Sequence, residues 1–350
     1  MNGPADIRKV RAGMGRRDWM LTALGGVVAG TAALHLPESA EAGQLKGDDL
    51  WTVWDTYFAR AKFVYLSHVL TPDSPLWYGF RNPEHPPSFK PALITDDKGK
   101  TFHEEAWDRD GHGSYRVEIP GTDWGTHIDA PAEFHPCQAA MEEIPPTYAL
   151  RKLAVVSIAE QAKADVAYQM TLDDVHAWER KHGPIPAGSV VMVRSDWYKN
   201  WTENPKRFLA EDGRFPGIRI EAIRYLHEER KILFHGHEAM DTDTTPTLVA
   251  EDWILSHGYP QVECVANLDQ VPETGALVAF GVPRLRGTTA FLLSLAAICP
   301  PSWTHGLVPG FSGESPLPFH DNRLSYSRTT GMFERQAPCT RPNGKMGLNP

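Results

Sequence analysis

Three features of the amino-acid sequence predict an α/β fold. Short apolar, β-prone runs recur along the chain, segments with helical spacing and capping signals alternate with them, and no internal repeat points to a solenoid or propeller. Asp48–Arg60 carries apolar residues near helical spacing and predicts a short leading helix. Phe63–Leu66 is a compact β-prone run. The passage from Thr71 to Pro91 reads as loop, because Pro72, Pro75, Pro83, Pro86 and Pro87 withhold the donors a ladder needs. Leu153–Ile158 and Ser189–Arg194 are apolar enough to be buried strands. Between them Thr171–His182 predicts a helix, capped by Thr171 with Asp174 three residues on and stopped by Gly183. A second helix is predicted over Ile220–Arg230, then a strand over Lys231–Phe234 running into Gly236. Glu251–His257 reads as helix, Gln261–Leu268 as extended chain and Ala276–Phe280 as a strand. Ala290–Ile298 reads as a buried strand or core segment. From Pro300 to Pro350 the chain turns rich in Pro, Gly, Ser and Arg, the composition of an extended, partly ordered arm.

Composition narrows the functional classes. With 350 residues, 41% of them apolar and 23% charged, the chain can bury a core without disulfide staples. A formal net charge of −9, with no basic cluster after the N-terminus, excludes nucleic acid as a partner, since phosphate binding needs a concentrated basic face. Cys137, Cys264, Cys299 and Cys339 are scattered, so a four-thiolate zinc site is not indicated. No Gly-x-Ser-x-Gly elbow occurs; Ser312, in Gly310-Phe311-Ser312-Gly313, is one residue short of that spacing. No phosphate-cradling glycine loop follows a strand.

The first residues read as an address. Arg8, Lys9 and Arg11 precede Gly15-Arg16-Arg17-Asp18-Trp19-Met20-Leu21 and an apolar run from Leu21 to Leu36, followed by the small-x-small site Ala40-Glu41-Ala42. Adjacent arginines before a mildly apolar, Gly/Ala-rich run resemble a twin-arginine signal, which predicts a signal peptide over 1–42, a mature start at Gly43 and a periplasmic or otherwise exported protein. A transmembrane anchor is the alternative, but the run is 16 residues long with three glycines, against roughly 20 apolar residues for a span. No second membrane candidate follows.

The most informative segment is Asp123-Trp124-Gly125-Thr126-His127-Ile128-Asp129-Ala130-Pro131-Ala132-Glu133-Phe134-His135. Its side chains with ligand or base chemistry all fall on odd numbers. In extended chain alternate residues share a face, so Asp123, His127 and Asp129 are expected to project together, with Gly125 leaving room between them. Pro131 stops a central ladder, so Glu133 and His135 are expected to curl over the site, where a general base belongs.

Gly-Thr-His-Ile-Asp-Ala-Pro at 125–131 resembles the signature of the cyclase-like metal-dependent hydrolases, the group that contains bacterial kynurenine formamidase and isatin hydrolase. Leu66-Ser67-His68 with Pro72, Pro75 and Trp77, the segment Gly236-His237-Glu238 with Asp241-Thr242-Asp243, and Glu263-Cys264-Val265-Ala266-Asn267-Leu268 carry further similarity. The resemblance spans roughly residues 60–298. It implies a swivelling β/β/α domain over 43–299 with a C-terminal extension, assembly as a homo-oligomer, and hydrolysis of a small amide, formamide, lactam or ester carbonyl by water activated on a divalent metal ion. It places the ligands on Asp123, His127, Asp129, Glu251 and Glu263. Asp123 and Glu251 stand where many members have histidine; one imidazole among carboxylates favours Mn²⁺, with Zn²⁺ next. For Glu251 a solvated carboxylate at a helix start is the alternative. Glu133 stands where the family has its catalytic histidine. Glu133 or His135 then moves the proton, or the protein binds metal and ligand without turnover. Trp124 and Trp197 are candidates for pocket wall or core, and His237 and Glu238 for reaching the pocket or for structural hydrogen bonds, His237 being the candidate substrate contact.

Overall fold

The computed structural model describes residues 49–91, 93–95, 101–103, 115–309, 324–327 and 332–335; the segment 1–42 expected to be a signal peptide, and Cys339, lie outside them. The strands that build the main sheet are β1 Lys62–Tyr65, β2 His127–Asp129, β3 Leu150–Ser157, β4 Val190–Arg194, β5 Phe234–His237, β6 Gln261–Glu263, β7 Ala276–Gly281, β8 Ala290–Leu292 and β9 Ser294–Cys299. They lie in the order β1-β9-β7-β3-β4-β5-β6-β2-β8. The central four, β3-β4-β5-β6, are parallel, and every other pairing is antiparallel.

Parallel strands need crossovers, and helices supply them. Helices α1 Leu50–Thr56, α2 Ala159–Ala164, α3 Leu172–His182, α4 Asn200–Glu203, α5 Pro205–Phe208, α6 Ile220–Arg224 and α7 Val249–Ser256 follow in chain order. The α2–α3 pair links β3 to β4, α4 to α6 link β4 to β5, and α7 links β5 to β6. Strands β3 and β4 are apolar on both faces as a result. Leu153 and Val155 of β3 join Val190 and Met192 of β4 in one core, which reaches Val64 near one edge of the sheet and Ile128 near the other, so the sheet curls around it. Ala154, Val156, Val191 and Val193 face the helices in a second core with Val175, Trp178, Ile223 and Ile254.

Helix α3 starts and stops where its sequence says. Asp174 N–H donates to Thr171 Oγ1 (3.3 Å) and Thr171 N–H to Asp174 Oδ2 (2.8 Å), a reciprocal cap worth about 1 kcal/mol. Gly183 closes the helix at φ 86°.

Other expectations shift. The loop from Thr71 ends early, because Ser88–Pro91 pairs with Tyr115–Glu118; three residues follow Pro87 before the next proline, enough for an edge ladder. The helix from Ile220 loosens into a π turn over Tyr225–Glu229. The strand predicted from Lys231 starts at Phe234, because Lys231 sits in the left-handed region at φ 54°. The extended run from Gln261 stops at Glu263, because Cys264 turns left-handed at φ 53°. Ala290–Ile298 is two strands. Of the C-terminal arm, Leu307 bridges Phe63, Trp303 Nε1 donates to Gln270 O (2.7 Å), and Leu324–Ser327 pairs with Met332–Arg335.

Glu179 ties α3 to its surroundings. It accepts from Ile185 N–H (3.0 Å), from the Tyr225 hydroxyl (2.7 Å) and from the Arg230 guanidinium. Burial acts upward on its carboxyl, but these donors, Arg230 foremost, hold it down at about 2 against an ordinary 4.5. The stabilisation is therefore complete above pH 4.5 and lost as pH falls through 2. Glu179→Gln is expected to lower unfolding free energy at pH 7 by about 1–3 kcal/mol. Urea titrations of both proteins should show that difference shrinking from pH 5 to pH 3; a pH-independent difference would refute the ion pair as its source.

Candidate metal centre

The pleat builds the centre. On β2, Ile128 faces the inner core, so His127 and Asp129 face the other way. On β6, Val262 faces the core and Gln261 and Glu263 turn outward; on β5, Phe234 faces the core and His235 and His237 turn outward. Register then aligns them, with His235 beside Gln261 and Gln261 beside Asp129, and Glu263 beside His127 in the next row. Three strands thus raise a buried polar stripe on the helix side of the sheet, and all six side chains are at most 4% exposed.

Within the stripe, His127, Asp129 and Glu263 bring one donor atom each within 4.8 Å of one another. His127 Nδ1–H donates to Gly125 O at 2.7 Å, which leaves Nε2 as the free donor atom. That nitrogen lies 3.1 Å from Asp129 Oδ1 and 3.5 Å from Glu263 Oε2. Two ligand atoms about 2.1 Å from one ion, subtending roughly 90–110°, lie about 3.0–3.4 Å apart. The spacing is that of a coordination sphere. Asp129 Oδ1 is buried with no hydrogen bond, an open valence aimed at the same point.

The trio forms the floor of a cavity of about 250 Å³. Around it stand further acids: Asp123, Glu133, Asp241 and Glu251 all line the same cavity. Burial, reinforced by the charge of Asp129, pushes Glu133 up to about 10 and Asp241 to about 6. Burial likewise raises Glu251 and Glu263 well above the usual carboxylate range. His127 moves up because Asp129 outweighs the opposing effect of burial. So much acid around one imidazole calls for a cation, since an unpaired buried carboxylate costs on the order of several kcal/mol or neutralises. The residues fit a divalent ion.

Each predicted site residue can be placed. His127, Asp129 and Glu263 meet as donors. Asp123 and Glu251 line the cavity outside that trio; Glu251 Oε2 accepts from Thr242 N–H at 3.2 Å, so it is a buried group and not a solvated helix-start carboxylate. Asp123 comes to the cavity by a different route from that predicted. The strand begins only at His127, and a turn with Gly125 at φ 80° carries Asp123 in. The positive φ strains any residue with a side chain, and a Cβ at Gly125 would also press on Leu70 Cδ2 at 2.6 Å, so this turn favours glycine. Glu133 sits in the short 3-10 turn Pro131–Glu133 and reaches the cavity. His135 does not: the same turn swings it outward, where Nε2 pairs with Asp252 Oδ1 at 3.1 Å. Trp124 is a wall, its indole N–H donating to Pro75 O at 2.8 Å. Trp197 is core, packed with Trp201 and Phe208.

His237 also falls outside the cavity lining. Its Nε2 lies 3.0 Å from Thr242 Oγ1 behind the ligand row, and burial lowers its pKa to about 4. Glu238 is structural in its contacts, accepting from Ser195 N–H (3.1 Å) and Ser195 Oγ–H (3.0 Å). Sequence reasoning passed over Asp241 as a site residue, although its segment was noted, and missed Gln261. Parity was the available signal for Gln261, two residues before Glu263 on the same strand.

The sequence profile of the Cyclase family matches residues 64–244, just over half of the chain. The chain belongs to the Cyclase family. This cyclase-family protein is 27% identical over 253 residues to an isatin hydrolase of Roseibium aggregatum, covering 68% of the present chain and 92% of the relative. Among solved structures it is similar to isatin hydrolase A from Labrenzia aggregata bound to benzyl benzoate, with a TM-score of 0.58, 26% identity, and coverage of 72% of this chain and 98% of that one. Isatin hydrolase A from Ralstonia solanacearum shares the fold, with a TM-score of 0.60 at 23% identity, covering 73% and 100%. The α/β architecture with one large curled sheet is therefore that of the family's structural relatives.

His127→Ala removes the one nitrogen donor of the trio. The purified variant is expected to hold no stoichiometric divalent ion by mass-spectrometric elemental analysis and to lose the rise in unfolding temperature that added metal gives the wild type. Equal metal content in the two proteins would sink this assignment.

Proposed function

We propose that this cyclase-family protein is a divalent-metal-dependent hydrolase of small, neutral, aromatic amides, lactams, formamides or esters. The observation that carries the reading is the convergence of His127 Nε2, Asp129 Oδ1 and Glu263 Oε2 on one point at the floor of an aromatic-walled cavity. The names of the similar proteins, isatin hydrolases, support the same class. A bound divalent ion would supply Lewis-acid activation of water and of the scissile carbonyl.

The chain's own residues do the rest. Trp77, Phe80, Trp124, Phe134, Trp201 and Phe208 border the cavity; they orient a flat substrate over the ligand row and keep bulk water out. Glu133 Oε2 is buried without a hydrogen bond, so it is free to exchange a proton with the leaving nitrogen or oxygen. Among the described residues no Lys or Arg lines the cavity, whereas six acids do. A substrate carrying its own carboxylate meets no side-chain counter-charge from these residues, which supports neutral substrates.

One assay series tests the reading. Metal-loaded wild type is expected to hydrolyse a neutral aromatic lactam or ester with kcat/KM at least about tenfold above that for the same scaffold bearing a ring carboxylate, a gap of ~1.4 kcal/mol. Glu133→Gln should keep metal and lose kcat by about 10²–10⁴-fold, and His135→Ala should stay near wild type. No turnover of any compound by metal-loaded protein would leave the alternative function, a catalytically impaired metal- or ligand-binding protein.

The reading extends to location and assembly. The paired Arg16 and Arg17 before a weakly apolar run support export by the twin-arginine route, and the resemblance supports a homo-oligomer. Replacing both arginines by lysine is expected to hold the protein in the cytoplasm on cell fractionation; unchanged export would exclude that route.

A further inference from the structure

Behind the ligand row lies a hydrogen-bonded array that no step of the reaction uses. Gln261, fully buried on β6, spends both amide hydrogens on the two carboxylates: Nε2 donates to Asp129 Oδ2 at 3.1 Å and to Glu263 Oε1 at 2.9 Å. These are the outer oxygens. The inner ones, Asp129 Oδ1 and Glu263 Oε2, are the two that face His127 Nε2. An amide that ties one oxygen of each carboxylate leaves each with one oxygen to offer a cation.

The amide itself is locked. Its Oε1 accepts from Thr242 Oγ1–H at 2.7 Å. The hydroxyl has one proton, and it is committed there, so the two imidazoles that reach Thr242 Oγ1 must donate: His237 Nε2–H at 3.0 Å and His235 Nε2–H at 3.3 Å. A flipped amide would set Gln261 Oε1 against two carboxylates and Nε2–H₂ against a hydroxyl whose lone pairs are already taken. Thr242 is fixed in turn by its backbone, its N–H donating to Glu251 Oε2 (3.2 Å) and its carbonyl accepting from Ile218 N–H (2.7 Å). The direction of every bond follows from this arrangement.

We propose that Gln261, held by Thr242, is a positioning residue that forces Asp129 and Glu263 to present one oxygen each to the metal ion, and so sets the affinity of the site. The inference rests on the metal-centre reading above. It also gives His235 and His237 a place: they complete the lone pairs of Thr242 and are not ligands.

The test measures Mn²⁺ binding, not turnover. Dissociation constants by isothermal titration and electron paramagnetic resonance spectra of bound Mn²⁺ are compared for wild type, Gln261→Leu, Thr242→Val and Thr242→Ser. Thr242→Val keeps side-chain volume and the backbone bond to Glu251, so it answers the question where Gln261→Leu fails to fold. Both variants are expected to weaken Mn²⁺ by about 10–100-fold, the usual range for groups that orient ligands, with an altered Mn²⁺ lineshape. Thr242→Ser, which keeps the hydroxyl, should stay within about twofold of wild type and retain its spectrum. A structural role alone would lower the unfolding temperature of the metal-free protein and leave the dissociation constant where it was. Folded Thr242→Val with wild-type affinity and spectrum would overturn the positioning role while the metal centre stands. Failure of the wild type to bind any divalent ion would overturn the metal centre, and this proposal with it.

Discussion

Charge burial is the constraint on which the rest of this structure turns. Asp129, Glu263 and Glu251 are each at most 6% exposed, and Glu133, Asp123 and Asp241 border the same cavity. Carboxylates leave water only with compensation, from a cation, from donors or by taking up protons. The fold offers all three in part. His127 faces Asp129 and Glu263, Gln261 donates to the same two, and burial drives Asp123, Glu133, Asp241 and Glu251 toward their neutral forms. A divalent ion at the point where the donor atoms converge would add positive charge against the two nearest acids, Asp129 and Glu263.

That requirement explains local choices which would otherwise weaken a sheet. Strand β6 is the last of the four parallel strands, where apolar side chains are the rule, yet it carries Gln261 and Glu263 on one face. Its partner β2 is only three residues long, interrupted by Gly125 before and Pro131 after. Two non-glycine residues in the left-handed region, Cys264 at φ 53° and Leu248 at φ 48°, both border the cavity. Such conformations cost on the order of 1–3 kcal/mol each and persist where packing over-determines them. Cys264 is held by its N–H to Ala239 O at 3.0 Å and by Thr126 Oγ1–H to its own carbonyl at 2.7 Å. The strained turn ends β6 directly after Glu263, so the carboxylate sits at the mouth of the strand and not inside the sheet.

The legible part of the sequence was the part governed by local rules. Capping residues fixed helix α3 to the residue, because Thr171, Asp174 and Gly183 act within one turn of the chain. Alternation placed His127 and Asp129 on one face, because period two is a property of any extended pair. What failed depended on chain reversal. Asp123 arrives through a positive-φ turn, His135 leaves through a 3-10 turn, and His237 lies behind its neighbours' side chains. Gln261 is hard to read for another reason: parity with Glu263 puts it on the same face, but a glutamine has no acid–base chemistry of its own, and its importance arises from register with Asp129 and proximity to Thr242.

The donor set also sets the chemistry of the site. One imidazole nitrogen and a surplus of carboxylate oxygens make a hard, anionic environment for a divalent ion. Cys264 borders the cavity, but burial raises its thiol pKa, so it stays a neutral, weak donor at ordinary pH. Carboxylates that burial keeps protonated must release those protons when the ion enters, which couples metal affinity to pH. The aromatic wall strengthens that coupling, since it excludes the water that would otherwise screen both the ion and its acids. Site, wall and strained turns are therefore one electrostatic device: the sheet concentrates negative charge, the turns aim it, and the apolar rim makes the charge count.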